Sequence, residues 1–536
     1  MSCDNCATSI EKHFKLKQGV VSNKVSYPDK KGEFVFDPAK ISKDEIRGII
    51  DKETHYNVVG EIRESNSPSN EYDLIIIGGG SAAFSAAIKA EGLGLATLMV
   101  NGGLDFGGTC VNVGCVPSKN LIRAGETAFH AQHSNFAGVK PKGVEIDFAR
   151  VIKDKNKLVA SLQQKKYMDV VSSFKYLKMI SGWAEFIDGK TILVNGKDRY
   201  SALKFLIATG ATTKIPDIEG LAGVNYLTNV SLFEMEEQPK SMIVLGGGYI
   251  ALEIAQAYHR LGTKVSLLQR SGQVLSKQTA DVAGELARHL RKEGVDIQTN
   301  LRFDKVSQIG GNVRLVAEQN GVKKIFEAGM ILVSTGIKPN TDRLAVRRIG
   351  LELTGSGHIK VDKHLQSNLP NIYAAGDCID TPSYVYTAAF EGKTAVENAF
   401  TGTDIKVDYS SLPWVVFTDP QVAGAGLDEK TAKGEGIPFE VSKIELKDVP
   451  RSIAANDTRG FIKLIRNTET DKLIGARVVA PEGGELIQQL SMAIKYGISV
   501  KELASGFYPY LTLSEGVKLA AITFGKDVAT LSCCAT

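Results

Sequence analysis

Twice in this chain a short apolar run ends in three glycines and gives way to a helical pattern. Residues 72–77 lead into Gly78-Gly79-Gly80, and residues 241–245 lead into Gly246-Gly247-Gly248. A continuous apolar run bounded by glycine suits a strand buried on both faces of a parallel sheet. The spacing then reads Gly78-x-Gly80-x-x-Ala83 and Gly246-x-Gly248-x-x-Ala251. The first glycine allows a tight turn, the second lets a pyrophosphate approach the backbone, and the small third residue lets helix and strand pack closely. The helix N-terminus then faces the phosphate charge. One such turn alone is weak evidence. Two in one chain predict an α/β protein with two Rossmann-like dinucleotide-binding domains. They also imply electron traffic from a nicotinamide to a second, tightly held dinucleotide, most simply FAD.

The ends of the second strands refine this. The ribose-binding acid expected about 20 residues after the first turn is missing, and Asn101 stands at the end of residues 96–100; an amide can still hydrogen-bond a ribose hydroxyl. In the second unit, residues 264–268 end in Gln269-Arg270 with no acid. A carboxylate there would repel a 2′-phosphate, whereas an arginine accepts it by charge-assisted hydrogen bonds. NADPH is therefore expected over NADH, the plainer alternative being that Arg270 is a solvated loop residue.

At 536 residues the chain is too long for one core and predicts several domains. A net charge of +4 gives no reason to expect nucleic acid or an anionic membrane as partner. No apolar run approaches the ~18 residues of a bilayer span, and the N-terminus lacks a signal-peptide layout, so the expected compartment is the cytoplasm. Residues 1–64 read as a small unit: helix 6–18, a hairpin of 20–27 with 32–37, a Ser42/Glu45 capping box opening a second helix to 52, and a last strand 58–62. Residues 65–70 read as a linker. The expected division then runs 71–235 and 356–405 for the FAD domain, 236–355 for the NADPH domain, and 406–536 for an α+β domain of its own.

The seven cysteines fall as Cys3/Cys6, Cys110/Cys115, Cys378 and Cys533/Cys534. In a reducing compartment such close pairs read as redox or metal chemistry rather than structural staples. The segment Gly107-Gly108-Thr109-Cys110-Val111-Asn112-Val113-Gly114-Cys115-Val116-Pro117-Ser118-Lys119 is the most specific in the chain, since two cysteines five apart on a helical turn can meet as a disulfide or act as a dithiol. It resembles the active-site signature of the flavin disulfide oxidoreductases. Thr209-Gly210-Ala211, Ala374-Ala375-Gly376-Asp377 and Phe417-Thr418-Asp419-Pro420-Gln421 resemble further motifs of that family, so the resemblance runs from about residue 71 to the C-terminus. It implies that Cys115 lies against the isoalloxazine as a thiolate and that Cys110 is the outer, interchange thiol. It implies that Lys119 sits near the flavin N5 and pairs with Glu253. It also implies that Gly108, Thr109, Thr209, Gly210 and Asp377 join Gly78, Gly80, Ala83 and Asn101 around FAD, that Gly246, Gly248, Ala251, Glu253, Gln269 and Arg270 serve NADPH, and that the C-terminal domain forms a homodimer.

Disulfide reductases of this family carry a histidine near the C-terminus that protonates the leaving thiol. Here Tyr510-Leu511-Thr512-Leu513-Ser514-Glu515 keeps Glu515 but places Tyr510 at the histidine position, and a phenol of pKa ~10 is a poor proton shuttle at neutral pH. The tail ends Cys533-Cys534-Ala535-Thr536, and thiolates select soft cations. This combination resembles the mercuric reductase family. The resemblance implies Hg(II) as substrate, with Cys533, Cys534 and Tyr510 of one subunit serving the Cys110/Cys115 pair of the other, and Tyr167 at the same site. Met1-Ser2-Cys3-Asp4-Asn5-Cys6 resembles the loop of heavy-metal-associated domains, which implies a ferredoxin-like α+β unit in which Cys3 and Cys6 chelate one soft ion, with Tyr56 nearby. Its first strand would have to precede Met1. Two other readings stay open: a dihydrolipoyl or other disulfide reductase of the same architecture, and a soft-metal-binding protein without turnover. Cys378 is expected in the core, and His13 and His55 at the surface.

Overall fold

A computed structural model describes residues 4–15, 17–26, 31–54, 58 and 70–530. In the N-terminal unit, the helix Asp4–Phe14 and the helix Lys43–Glu53 flank an antiparallel pair, Val20–Ser26 with Lys31–Phe36. Ile10, Phe14, Ile41, Ile46, Ile49 and Ile50 make its core. The Ser42/Glu45 capping box is formed. The first helix runs earlier than residues 6–18, because the chain already turns out at residue 17 to reach the strand. Cys3, Tyr56, His55, Cys533 and Cys534 lie outside the described residues, as do residues 59–62 of the expected last strand and the side chain of Cys6.

The first glycine turn ends the strand Glu71–Ile77, which lies within the parallel part of a mixed seven-stranded sheet. Thr97–Asn101 pairs on one side and Asp198–Ile207 on the other, with Leu177–Ser181 outside the former. Asp198–Ile207 also pairs in parallel with Ile372–Ala374, so a strand far along the chain returns to this sheet. The crossover helix Ser81–Leu93 buries Ala82, Ala83, Ala86, Ala87 and Ala90. This small-residue face admits the helix Val385–Phe400 at close range: a Cβ on Gly392 would stand 2.1 Å from the Ala82 carbonyl oxygen. The second glycine turn ends the strand Ser241–Leu245, which lies between Lys264–Leu268 and Met330–Val333 in a second parallel sheet.

Beyond these, Trp414–Val416, Gln421–Gly426, Leu473–Ala480, Phe461–Asn467 and Phe439–Glu445 form an antiparallel sheet in that spatial order. The helices Gly483–Lys495 and Leu513–Ile522 bury Leu486, Ile487, Leu490, Val517 and Ala520 against it. The α+β pattern expected over this region is thus one antiparallel sheet with helices packed on it.

Because Gly392 touches backbone rather than a side chain that can swing away, Gly392→Val should destabilise the protein by about 1–3 kcal/mol or more. The expected readout is a lowered thermal midpoint; a midpoint equal to wild type would contradict this packing.

Candidate functional site

Three backbone turns converge ahead of the helix Ser81–Leu93. Gly78 has φ +131°, and a Cβ there would meet the Ala208 carbonyl oxygen at 2.1 Å. A Cβ on Gly108 would lie 2.6 Å from the Gly80 Cα, so the cysteine-bearing segment rests directly on the glycine turn. The helix has neither a side-chain cap nor an acid in its first turn, which leaves its N–H groups free for an anion. Asn101 donates its amide to the Leu104 carbonyl at 2.8 Å, keeping its own carbonyl oxygen as an acceptor. It opens on a cavity of about 390 Å³ lined by Asp105, Ser181, Trp183 and Asn195. The buried Thr209 hydroxyl has no partner among the described residues, and burial holds the Asp377 carboxyl above its usual range. An uncapped helix, an acceptor at a cavity and an orphaned hydroxyl fit a dinucleotide lying across this sheet edge. At the second turn, Gly246 has φ +119°, the Cβ position of Gly248 faces no atom within 4 Å, and the helix Tyr249–Arg260 is likewise uncapped. Gln269 lies against Gly247 and Arg270 is exposed, an arrangement open to a second dinucleotide.

Cys110 lies in the short helix Gly108–Val113, and Cys115 begins the helix Cys115–Gln132. Gly114 makes the break between them; a Cβ there would meet the Thr109 carbonyl at 2.8 Å. Both cysteines are half-buried free thiols. The Cys110 thiol donates a hydrogen bond to Cys115 and, together with the Lys119 charge, brings Cys115 down to about 7 against the opposing effect of burial. The same hydrogen bond, joined by burial, pushes Cys110 well up. Cys115 at a helix N-terminus is also where the backbone dipole favours a thiolate. The pair is therefore asymmetric: one nucleophile and one proton-bearing neighbour.

One turn along, the Lys119 ammonium meets Glu253 Oε2 at 2.8 Å and sits 4.4 Å from the Phe417 ring centroid. Glu253 is 4% exposed, and its Oε1 accepts the Phe417 N–H at 2.9 Å. Tyr167 lies in a π-helical turn, Gln164–Met168, a distortion that often re-aims a side chain at a functional site. Its ring packs edge-on against Phe84 at 4.9 Å, and its hydroxyl bonds Ser81. Burial raises its phenol, and the nearby Cys110 and Cys115 raise it further. Tyr510 is 58% exposed. It precedes the cap of the last long helix, where Thr512 accepts the Glu515 N–H and Glu515 Oε2 accepts the Leu511 N–H at 3.1 Å. Phe507 and Leu511 are exposed beside it.

The structure thus gathers Cys110, Cys115, Lys119, Glu253 and Tyr167, and puts Tyr510 and Glu515 on the C-terminal sheet domain. Sequence reading missed an aromatic group next to the pair: Tyr249 stacks on Trp414 at 5.5 Å, and Tyr384 on Tyr386 at 5.3 Å. Only Tyr249, directly after Gly248, carried a positional signal. Cys378 is fully buried, as expected, and its thiol is pushed up to about 12 by burial.

A fold with two dinucleotide turns and a dithiol on one of them defines a flavin- and nicotinamide-using dithiol oxidoreductase. Residues 72–392 match the family of pyridine nucleotide-disulphide oxidoreductases, and residues 412–521 match the dimerisation domain of that family. The chain belongs to the pyridine nucleotide-disulphide oxidoreductase family. Mercuric reductases are among its full-length relatives: those of Lysinibacillus sphaericus and Staphylococcus aureus are 40% and 38% identical, each over 100% of this chain and 98% of the relative. The solved Cu(II) complex of the HOCl-induced flavoprotein disulfide reductase RclA from Escherichia coli matches with a TM-score of 0.76 at 26% identity, covering 85% of this chain and 100% of that one. Among the described residues, no helix is long and apolar enough to cross a membrane.

The depressed Cys115 is a thiolate above its folded pKa of about 7 and loses that charge as pH falls through it. Alkylation of the reduced protein at Cys115 should therefore rise about tenfold between roughly pH 6 and 8, followed by mass spectrometry. A rate still climbing at the ordinary thiol range would contradict the asymmetric pair.

Proposed function

We propose that this chain is a mercuric reductase that uses NADPH and FAD to reduce thiol-bound Hg(II) to Hg(0). The observation that carries this reading is the asymmetric Cys110/Cys115 pair seated on the first dinucleotide turn, in a chain similar over its whole length to mercuric reductases. The bound nicotinamide and flavin supply two electrons per turnover, so that NADPH and Hg(II) become NADP+, a proton and Hg(0). The chain's residues do the rest. Cys115, already a thiolate near neutral pH, attacks the incoming mercuric thiolate and displaces one of its two thiolates; Cys110 displaces the other as the second ligand, its proton leaving with the departing thiol. Two thiolates hold the soft ion in the near-linear geometry it favours and exchange it pairwise with other thiol pairs. The proposed NADPH contacts are Gly246, Gly248, Ala251, Gln269 and Arg270, with Arg270 accepting the 2′-phosphate. The proposed FAD contacts are Gly78, Gly80, Ala83, Asn101, Gly108, Thr109, Thr209, Gly210 and Asp377, with Lys119 beside the ring.

In this reading the enzyme is a homodimer, and the exposed Tyr510, with Cys533 and Cys534 of the tail, belongs to the site of the partner subunit. Tyr510 there lines the approach without acting as the acid that disulfide reduction needs. Tyr167, next to the thiols, lines the same approach from within the chain. Cys3 and Cys6 collect the ion upstream.

The test is an anaerobic assay with Hg(II) in excess thiol, in which NADPH oxidation is followed and volatile mercury trapped. Wild-type protein is expected to release mercury vapour, and Cys110→Ala and Cys115→Ala to lose at least two orders of magnitude in rate. Truncation after Leu531 is expected to slow turnover from thiol-complexed Hg(II) with FAD still bound. No vapour from the wild type, or good turnover of lipoamide in its place, would overturn the reading.

A further inference from the structure

One face of the helix Tyr249–Arg260 carries three polar side chains at i, i+3 and i+7. Glu253, Gln256 and Arg260 are 4%, 3% and 7% exposed. All three reach the same short segment. Glu253 Oε1 accepts the Phe417 N–H at 2.9 Å. Gln256 clasps the Asp419 backbone from both sides, its Oε1 accepting the N–H at 2.8 Å and its amide donating to the carbonyl at 2.7 Å. Arg260 donates to Asp419 Oδ2 at 2.8 Å. The second Asp419 oxygen accepts from Arg459 Nη2 at 2.8 Å. Residues 417–419 are thus laced along the helix, and Asp419 is the point at which side-chain charge from two elements closes the lacing.

The lacing ends at Lys119. A lysine carries a compact charge on a flexible stem with three rotatable donors, and the Lys119 side chain is 35% exposed. Two groups fix where its charge stands: the Glu253 carboxylate at 2.8 Å and the Phe417 ring at 4.4 Å. Both are held by the segment that Asp419 fastens. We propose that Asp419 is a positioning residue for Lys119, acting through Phe417 and Glu253 to hold the ammonium at one place beside the bound flavin. The inference rests on the reading above that Lys119 adjoins the flavin. It differs from a fold-stabilising role, in which Asp419 would neutralise Arg260 and Arg459 and do nothing more.

A cation beside the flavin favours the reduced, negatively charged form, so the midpoint potential of bound FAD reports on Lys119. It can be measured with a chemical reductant and a reference dye, without NADPH or Hg(II); a failure of mercury turnover therefore leaves this test readable. Lys119→Met and Asp419→Asn are each expected to make flavin reduction about tenfold less favourable, or about 30 mV lower for a two-electron couple. The double variant is expected to lie no lower than Lys119→Met alone, the non-additivity of residues acting as one unit. Asp419→Glu should restore most of the shift. Should Asp419→Asn fail to fold, Phe417→Leu keeps Asp419 and its ion pairs and is expected to lower the potential in the same direction. An Asp419→Asn or Phe417→Leu protein with the wild-type potential, or an Asp419→Asn effect that adds fully to Lys119→Met, would overturn the proposal.

Discussion

The ion pair between Lys119 and Glu253, 2.8 Å long, joins the two dinucleotide-turn units. Lys119 lies one helical turn beyond Cys115, and Glu253 lies one turn into the helix that follows the second glycine turn. A buried carboxylate without a partner costs several kcal/mol, so Glu253 needs both Lys119 and the Phe417 N–H. Meeting that need fixes the redox helix, the second dinucleotide sheet and the C-terminal sheet domain at one point. The same lysine charge helps hold Cys115 as a thiolate. One contact thus ties the dithiol's helix to the second dinucleotide unit and adds a lysine charge to the Cys110 hydrogen bond that chiefly holds Cys115 down.

The dinucleotide units were legible because each is local: strand, turn and helix follow one another in sequence, and Gly78 and Gly246 have positive φ because the backbone turns against a carbonyl. The Lys119–Glu253 pairing was legible only through the family resemblance, and the distance now stands behind it. Asp419 was legible only as part of the motif Phe417-Thr418-Asp419-Pro420-Gln421, and Gln256 and Arg260 were not read at all. The hydrogen bonds from Gln256 and Arg260 to Asp419 join residues 163 and 159 apart in sequence, and no local pattern encodes such a pairing. The i, i+3, i+7 spacing of Glu253, Gln256 and Arg260 was visible, but polar residues at that spacing ordinarily mark a solvated helix face. Tyr167 was carried by a short motif alone; the π-helical turn that swings it toward the thiols has no signature in Gln164-Lys165-Lys166-Tyr167-Met168.

The asymmetry of the cysteine pair also bears on substrate choice. A disulfide substrate leaves as a thiolate that must be protonated, and an exposed phenol such as Tyr510 is a weak donor for that. A thiol-bound soft cation needs instead two thiolates at the site, and the protons they give up leave with the displaced thiols. Cys115 meets this near neutral pH, and Cys110 follows when a metal displaces its proton. The small N-terminal unit has its own isoleucine and phenylalanine core and, among the described residues, shares no hydrophobic cluster with the rest.

The central claim is that electrons from the nicotinamide reach an ion held by Cys110 and Cys115. Its most direct test is the stoichiometry of a single turnover: protein loaded with one radiolabelled Hg(II) per thiol pair, mixed anaerobically with limiting NADPH. One mercury atom is expected to leave as vapour for each NADPH oxidised beyond that needed to prime the flavin. NADPH consumed while the label stays on the protein would contradict it.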